Sequence, residues 1–126
     1  PYIFTASPSP AVIASTRTAL KHVLAGAELR TRLWDNINRV YGALQDFGYR
    51  LGRDKPGPVA AIVLPDRESA LAHWRGLLAS GIYANLMVPP ATPKGLNLLR
   101  ISLSAAHTPE HIDRIIQAFG LLRKAA

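Results

Sequence analysis

The sequence predicts an α+β fold, a small and mainly antiparallel sheet with helices packed on one side of it. Three observations carry that prediction. Leu29, Leu33, Ile37, Val40, Leu44 and Phe47 recur three or four residues apart, which is one apolar face of an α-helix. Two apolar runs of strand length, residues 59–64 and 82–88, flank a stretch with helical spacing. Residues 98–104 alternate, with Leu99, Ile101 and Leu103 on one face and Leu98, Arg100, Ser102 and Ser104 on the other. The loop between 88 and 98 is short, so the last two strands are expected to form an antiparallel pair.

Residues 1–9 contain Ser7, Pro8 and Ser9 and read as an extended arm. Ser9 is an N-cap with Pro10 at the first helical position. The helix that follows is expected to reach about Gly26 and to bury Val12, Thr16, Ala19, Leu20 and Val23. The second helix carries the periodic face above; Gly48 loosens it and Gly52 terminates it. Residues 53–57 are a loop. The run 59–64 is apolar throughout and is expected to be covered on both faces. Pro65 stops it, and Asp66 caps a helix to about Ser80 that buries Leu71, Trp74, Leu77 and Leu78. Gly81 ends that helix. Pro89 and Pro90 close the strand 82–88, and Pro93 stiffens the loop after it. Thr108 caps the last helix, with Pro109 at its first position, Glu110 near its positive end, and Ile112, Ile115, Ile116 and Phe119 as its stripe. The expected organisation is an arm over 1–9, two helices over 10–50 and a small α/β domain over 51–126.

Hydrophobic residues make up 48% of the chain and charged residues 18%, a balance that excludes a disordered chain. No apolar run approaches the length of a membrane span, so no transmembrane segment is expected. The absence of cysteine excludes disulfides, thiolate zinc sites and cysteine nucleophiles, and it fits a cytoplasmic location. The net charge of +7 raises the prospect of an anionic partner, and a free-standing basic binding module is the rival class. The basic residues are scattered with no run among them, so a solvated surface and no nucleic acid are expected.

Arg100 is the residue most open to a chemical role. A guanidinium inside a strand whose other face is apolar is an exposed edge, half of an ion pair, or a carboxylate receptor. The stiff proline loop beside it would shape a pocket rim. His107 and His111 stand four apart, but no carboxylate completes a metal-binding pattern, and helix-start polar residues are the expected reading; no metal is expected. There is no GxGxxG, P-loop or GxSxG motif.

Residues 81–119, GIYANLMVPPATPKGLNLLRISLSAAHTPEHIDRIIQAF, resemble the C-terminal domain of the α-oxoamine synthases, pyridoxal-phosphate enzymes of fold type I. Residues 1–15, PYIFTASPSPAVIAS, resemble the FTxSxPP segment of the same family. The PPATP loop, LLR strand and AxHTP turn are most similar to the branch that uses serine. The resemblance implies an enzyme that joins an amino acid to an acyl-CoA with loss of carbon dioxide, giving a 3-oxo amine. Other branches, using glycine or alanine, are the alternative. It also implies pyridoxal 5′-phosphate as cofactor and a homodimeric parent. Arg100 aligns with the strand arginine that meets the amino-acid carboxylate. Ala91 stands where other branches carry a substrate-contacting threonine, and Thr92 follows it in the loop that covers the site. Thr5 and Ala6 fall where the family approaches the cofactor phosphate from the neighbouring subunit. Lys21, Lys55, Lys94 and Lys124 all lie outside the family's Schiff-base context. The chain therefore reads as the small domain of a longer enzyme, with no catalytic residue of its own and no activity alone.

Overall fold

A computed structural model describes residues 3, 6–92 and 95–125. The chain divides into two compact units, residues 1–31 and 32–126, with the boundary inside the second helix.

In the first unit, helix α1 (Pro10–Ala25) starts as expected: Pro10 occupies the first turn and the Ser9 hydroxyl accepts the Val12 N–H at 3.4 Å. The burial expected of Val12, Thr16, Ala19, Leu20 and Val23 is not found, because no residue of α1 is buried. An apolar stripe specifies that a helix has a face to cover; it does not specify that these 126 residues supply the cover.

Among the described residues, the second unit contains all the buried core residues. Helix α2 (Ala27–Asp46) contributes Ile37, Val40, Tyr41 and Leu44 to it. The helix ends at Gly48, not at Gly52. Gly48 adopts φ +74, its N–H reaches the Gln45 carbonyl, and the Tyr49 N–H reaches the Leu44 carbonyl. That pair of bonds closes the helix on a left-handed residue that glycine accepts without strain. The early end leaves room for a strand the sequence did not announce, β1 (Arg50–Leu51), which pairs with β2 (Val59–Leu64). A two-residue strand is too short to show a period.

Helix α3 (Arg67–Ala79) is capped by Asp66, whose carboxylate accepts the Ser69 N–H at 2.7 Å. Its buried face is Ala70, His73 and Leu77; Leu71 and Trp74 are half-buried and Leu78 is exposed. The expected face was rotated because it followed the largest apolar residues, whereas small Ala70 and the edge-on stack of His73 with Tyr49 fill the interface instead. Strand β3 (Asn85–Met87) is shorter than expected, β4 spans Asn97–Ser102, and helix α4 (Pro109–Ala125) buries Ile112, Ile115, Ala118 and Phe119.

The sheet order is β1-β2-β4-β3 and each neighbouring pair is antiparallel. β2 and β3 therefore run the same way with β4 inserted between them. Ala60, Ile62 and Leu64 of β2 and Leu99 and Ile101 of β4 point into the core with the helices. The strand 59–64 is thus covered fully on one face only, since Ala61 and Val63 are half-buried and Val59 is exposed. An apolar run records low polarity and does not by itself distinguish two deep faces from one.

Candidate functional site

The face of the sheet turned away from the helices carries Arg100 near its middle. β4 is an interior strand, and Arg100 faces Ala61 on one side and Asn85 on the other. Cross-strand neighbours on one face lie about 5 Å apart, so the small Ala61 leaves the guanidinium room to move. Arg100 is exposed, and among the described residues it makes no ion pair. A guanidinium in that position presents planar donors to whatever approaches the open face.

The loop from β3 to β4 begins two register pairs away, beyond Met87 and Leu98. The peptide between Pro89 and Pro90 is cis. The Ala91 N–H reaches the Val88 carbonyl at 3.0 Å, and Ala91 itself is exposed. Thr92 is buried, and its hydroxyl donates to the Leu96 carbonyl at 2.6 Å. Its polar atom is therefore used inside the loop. Pro93, Lys94 and Thr5 lie outside the described residues. Ala6 is exposed, and it can offer a ligand only backbone.

Beside Arg100 lies a cavity of about 530 Å³ with no direct sign in the sequence pattern. It opens because residues 82–84 leave the ladder. The register of β3 on β4 would continue by setting Ala84 against Ile101 and Tyr83 against Ser102. Instead the Trp74 indole N–H takes the Ala84 carbonyl at 3.0 Å, and the Arg114 guanidinium takes the Ser80 carbonyl at 3.0 Å. Gly81, at φ +73, lets the chain turn tightly against that guanidinium. One wall of the cavity is the segment 81–85, the second is Arg100–Ser102, and the third is His107, His111 and Arg114 around α4. Ala91, Thr92 and Ala6 are not among its lining residues.

His107 precedes α4 and His111 lies in its first turn, the helix-start polar role expected of them. The Nδ1 of His107 accepts the Ser104 N–H at 3.0 Å, and the Nδ1 of His111 accepts the Thr108 N–H at 3.2 Å. The second bond, with the Thr108 hydroxyl accepting the His111 N–H at 3.4 Å, completes a reciprocal cap. The Glu110 carboxyl is held below its usual range, chiefly by the Thr108 hydroxyl and its own backbone N–H. Arg114 carries no local signal beyond its spacing of three from His111, which puts the two on one face of α4; His107 lies just before the helix. No lysine and no carboxylate lines this cavity among the described residues. The anchor of a lysine-bound cofactor, and the carboxylate that would hold a pyridine nitrogen, are therefore not offered here.

The model of the "Aminotransferase class I and II" family matches residues 1–119. The chain is 49% identical over 120 residues to a serine palmitoyltransferase of Caulobacter vibrioides, covering 95% of this chain and 30% of the relative. It is 42% identical to the serine palmitoyltransferase of Sphingomonas paucimobilis, covering 94% and 29%. It is 38% identical to the 2-amino-3-ketobutyrate coenzyme A ligase of Escherichia coli, covering 98% and 31%. Among solved structures, one of SPT with PLP internal aldimine superposes with a TM-score of 0.84 at 40% identity, over 98% of this chain and 31% of that one. The serine palmitoyltransferase of Sphingomonas wittichii gives 0.83 at 39% identity, over 97% and 31%. The chain thus spans about 30% of the length of the curated relatives it matches.

Proposed function

The chain belongs to the aminotransferase class I and II family, and from that premise we propose that it is the amino-acid-receiving portion of an α-oxoamine synthase of the serine palmitoyltransferase kind. The observation that carries this reading is Arg100, exposed near the middle of the open sheet face with small Ala61 and neutral Asn85 as its neighbours. A carboxylate meeting a guanidinium there gains a charge-assisted, two-point bond that fixes its orientation as well as its place. Holding the carboxylate orients the bond that must break when carbon dioxide leaves.

The full-length protein would condense serine with an acyl-CoA, using pyridoxal 5′-phosphate anchored by residues outside this chain. That cofactor supplies an electron sink for the carbon next to the carboxylate. This chain's own residues bind and aim. Arg100 takes the carboxylate, and the Ala91–Thr92 turn, braced from within by the Thr92 hydroxyl, sets the rim of the site. Thr5 and Ala6 approach the cofactor phosphate of a neighbouring subunit in a homodimer, and the enzyme works in the cytoplasm. The two serine palmitoyltransferase relatives, at 49% and 42% identity, support serine over the glycine-type alternatives.

The test is to purify the full-length gene product with pyridoxal phosphate and follow its visible absorbance while adding L-serine, glycine and L-alanine. A response to serine is expected. Arg100→Ala should weaken serine binding by about 10- to 150-fold, the equivalent of about 1.5–3 kcal/mol for a hydrogen bond to a charged group. A response to glycine alone moves the protein to a sister branch. An Arg100→Ala variant with unchanged serine affinity overturns the assignment.

A further inference from the structure

The cavity beside Arg100 sets a group of hydrogen-bond donors, from Arg100, His107, His111 and Arg114, among apolar side chains. Each imidazole spends its Nδ1 as an acceptor from a backbone N–H, so each neutral ring carries its proton on Nε2. His107 and His111 therefore offer N–H groups beyond the cap. Arg114 uses one Nη on the Ser80 carbonyl and keeps its other donors. Arg100 borders the opposite wall, and Asn85 and Ser102 add an amide and a hydroxyl. No Asp or Glu lines the cavity among the described residues. Asp113, on the same turn of α4, is paired with Arg39. The Arg100 and Arg114 guanidiniums, on facing walls and with no lining anion to balance them, leave a site of one sign, and the two imidazoles add donors beside Arg114.

We propose that this cavity binds a phosphate-bearing ligand, with Arg114 and His111 as its principal donors. Arg114 and His111 on one wall, with Arg100 on the other, suit an anion with three outward oxygens better than a planar carboxylate with two. At about 530 Å³ the cavity is larger than a phosphate ion, and the side chain of Ile82 provides an apolar stretch for a neutral stem. The phosphate could belong to the carrier of an acyl thioester or to a separate effector, and the chemistry is shared. The proposal is independent of the amino-acid reading, although Arg100 borders both sites.

The experiment is arginine footprinting on the full-length protein with phenylglyoxal, read by peptide mass spectrometry. Inorganic phosphate, coenzyme A and L-serine are added separately. At about ten times the dissociation constant, the phosphate ligand should slow labelling of Arg114 about tenfold. Protection by coenzyme A alone assigns the phosphate to the thioester carrier; protection by inorganic phosphate assigns a separate effector. Equal labelling of Arg114 with and without both ligands overturns the proposal. So does an Arg114 that the reagent cannot reach in the ligand-free protein. His111→Glu supplies the second arm. Glutamate at the third helical position keeps the reciprocal cap with Thr108, so folding should be preserved while a carboxylate enters the cavity. Protection of Arg114 should disappear with the melting temperature unchanged; protection that survives overturns the site. Failure of serine to protect Arg100 in the same digests would count against the amino-acid reading alone.

Discussion

A guanidinium on the open face of a sheet has solvent as its default partner, and what distinguishes Arg100 is the absence of anything nearby to occupy it. Lysine at that position would keep the charge and lose the fork. Arg100→Lys is therefore expected to bind serine more weakly than the wild type and more tightly than Arg100→Ala in the same absorbance titration. Thr92 works differently, because its hydroxyl already donates to the Leu96 carbonyl. Thr92→Val should lower stability by about 0.5–1.5 kcal/mol, read as a shift in urea midpoint. Tyr49 shows a third kind of role: its hydroxyl donates to the Phe119 carbonyl at 3.0 Å. Burial pushes its phenol up to about 12, against the pull of the nearby Arg123 guanidinium. A folded-state value raised above the ordinary 10.0 means the unfolded chain ionises first. Stability from this group is complete below pH 10 and falls as the pH rises toward 12. Tyr49→Phe should flatten that fall in melting temperature. Arg100 was legible because a period of two exposes any charge on an apolar strand. Arg114 was not, because its importance depends on a carbonyl 34 residues earlier in the chain.

Elements whose ends are set by local chemistry were the ones the sequence disclosed. Ser9, Asp66 and Thr108 each cap the helix expected of them, since an N-cap needs only its own side chain and an N–H three residues on. Strand 82–88 failed at its first half, where the Ile82 N–H is held by the Leu77 carbonyl and the Trp74 indole takes the Ala84 carbonyl. Nothing in the local pattern encodes that competition. The Asp66 cap carries a pH signature. Its carboxyl lies below the ordinary 3.8, chiefly through the Ser69 N–H. A depressed folded value contributes stability above pH 3.8 that is lost as the pH falls through it. Asp66→Ala should thus melt lower than wild type at neutral pH, and the gap should close in acid. Asn36 ties elements together over a longer range: its amide donates to the Ser104 and His107 carbonyls, both at 3.1 Å. Asn36→Ala should cost about 1–3 kcal/mol by leaving those carbonyls unmet, and it should loosen the turn that positions His107.

At the scale of the whole molecule, the distribution of burial decides what folds independently. Among the described residues, all of the buried apolar ones, from Ile37 to Phe119, lie in the unit 32–126. Helix α1 buries nothing and leaves Val12, Ile13, Leu20, Val23 and Leu24 more than half exposed. A helix that contributes no core contributes little to the free energy of folding, and a contiguous apolar surface of that kind drives association. Residues 32–126 expressed alone should therefore unfold cooperatively, at a denaturant midpoint close to that of residues 1–126. They should also run as a smaller and more uniform species on light-scattering chromatography. The longer chain should self-associate in a concentration-dependent way through α1, and Leu20→Glu with Leu24→Glu should suppress that association without moving the midpoint. A shorter chain that failed to unfold cooperatively would show that α1 contributes to the core after all. The burial of this second unit, and the placing of Arg100 by it, would then need an account that includes the first.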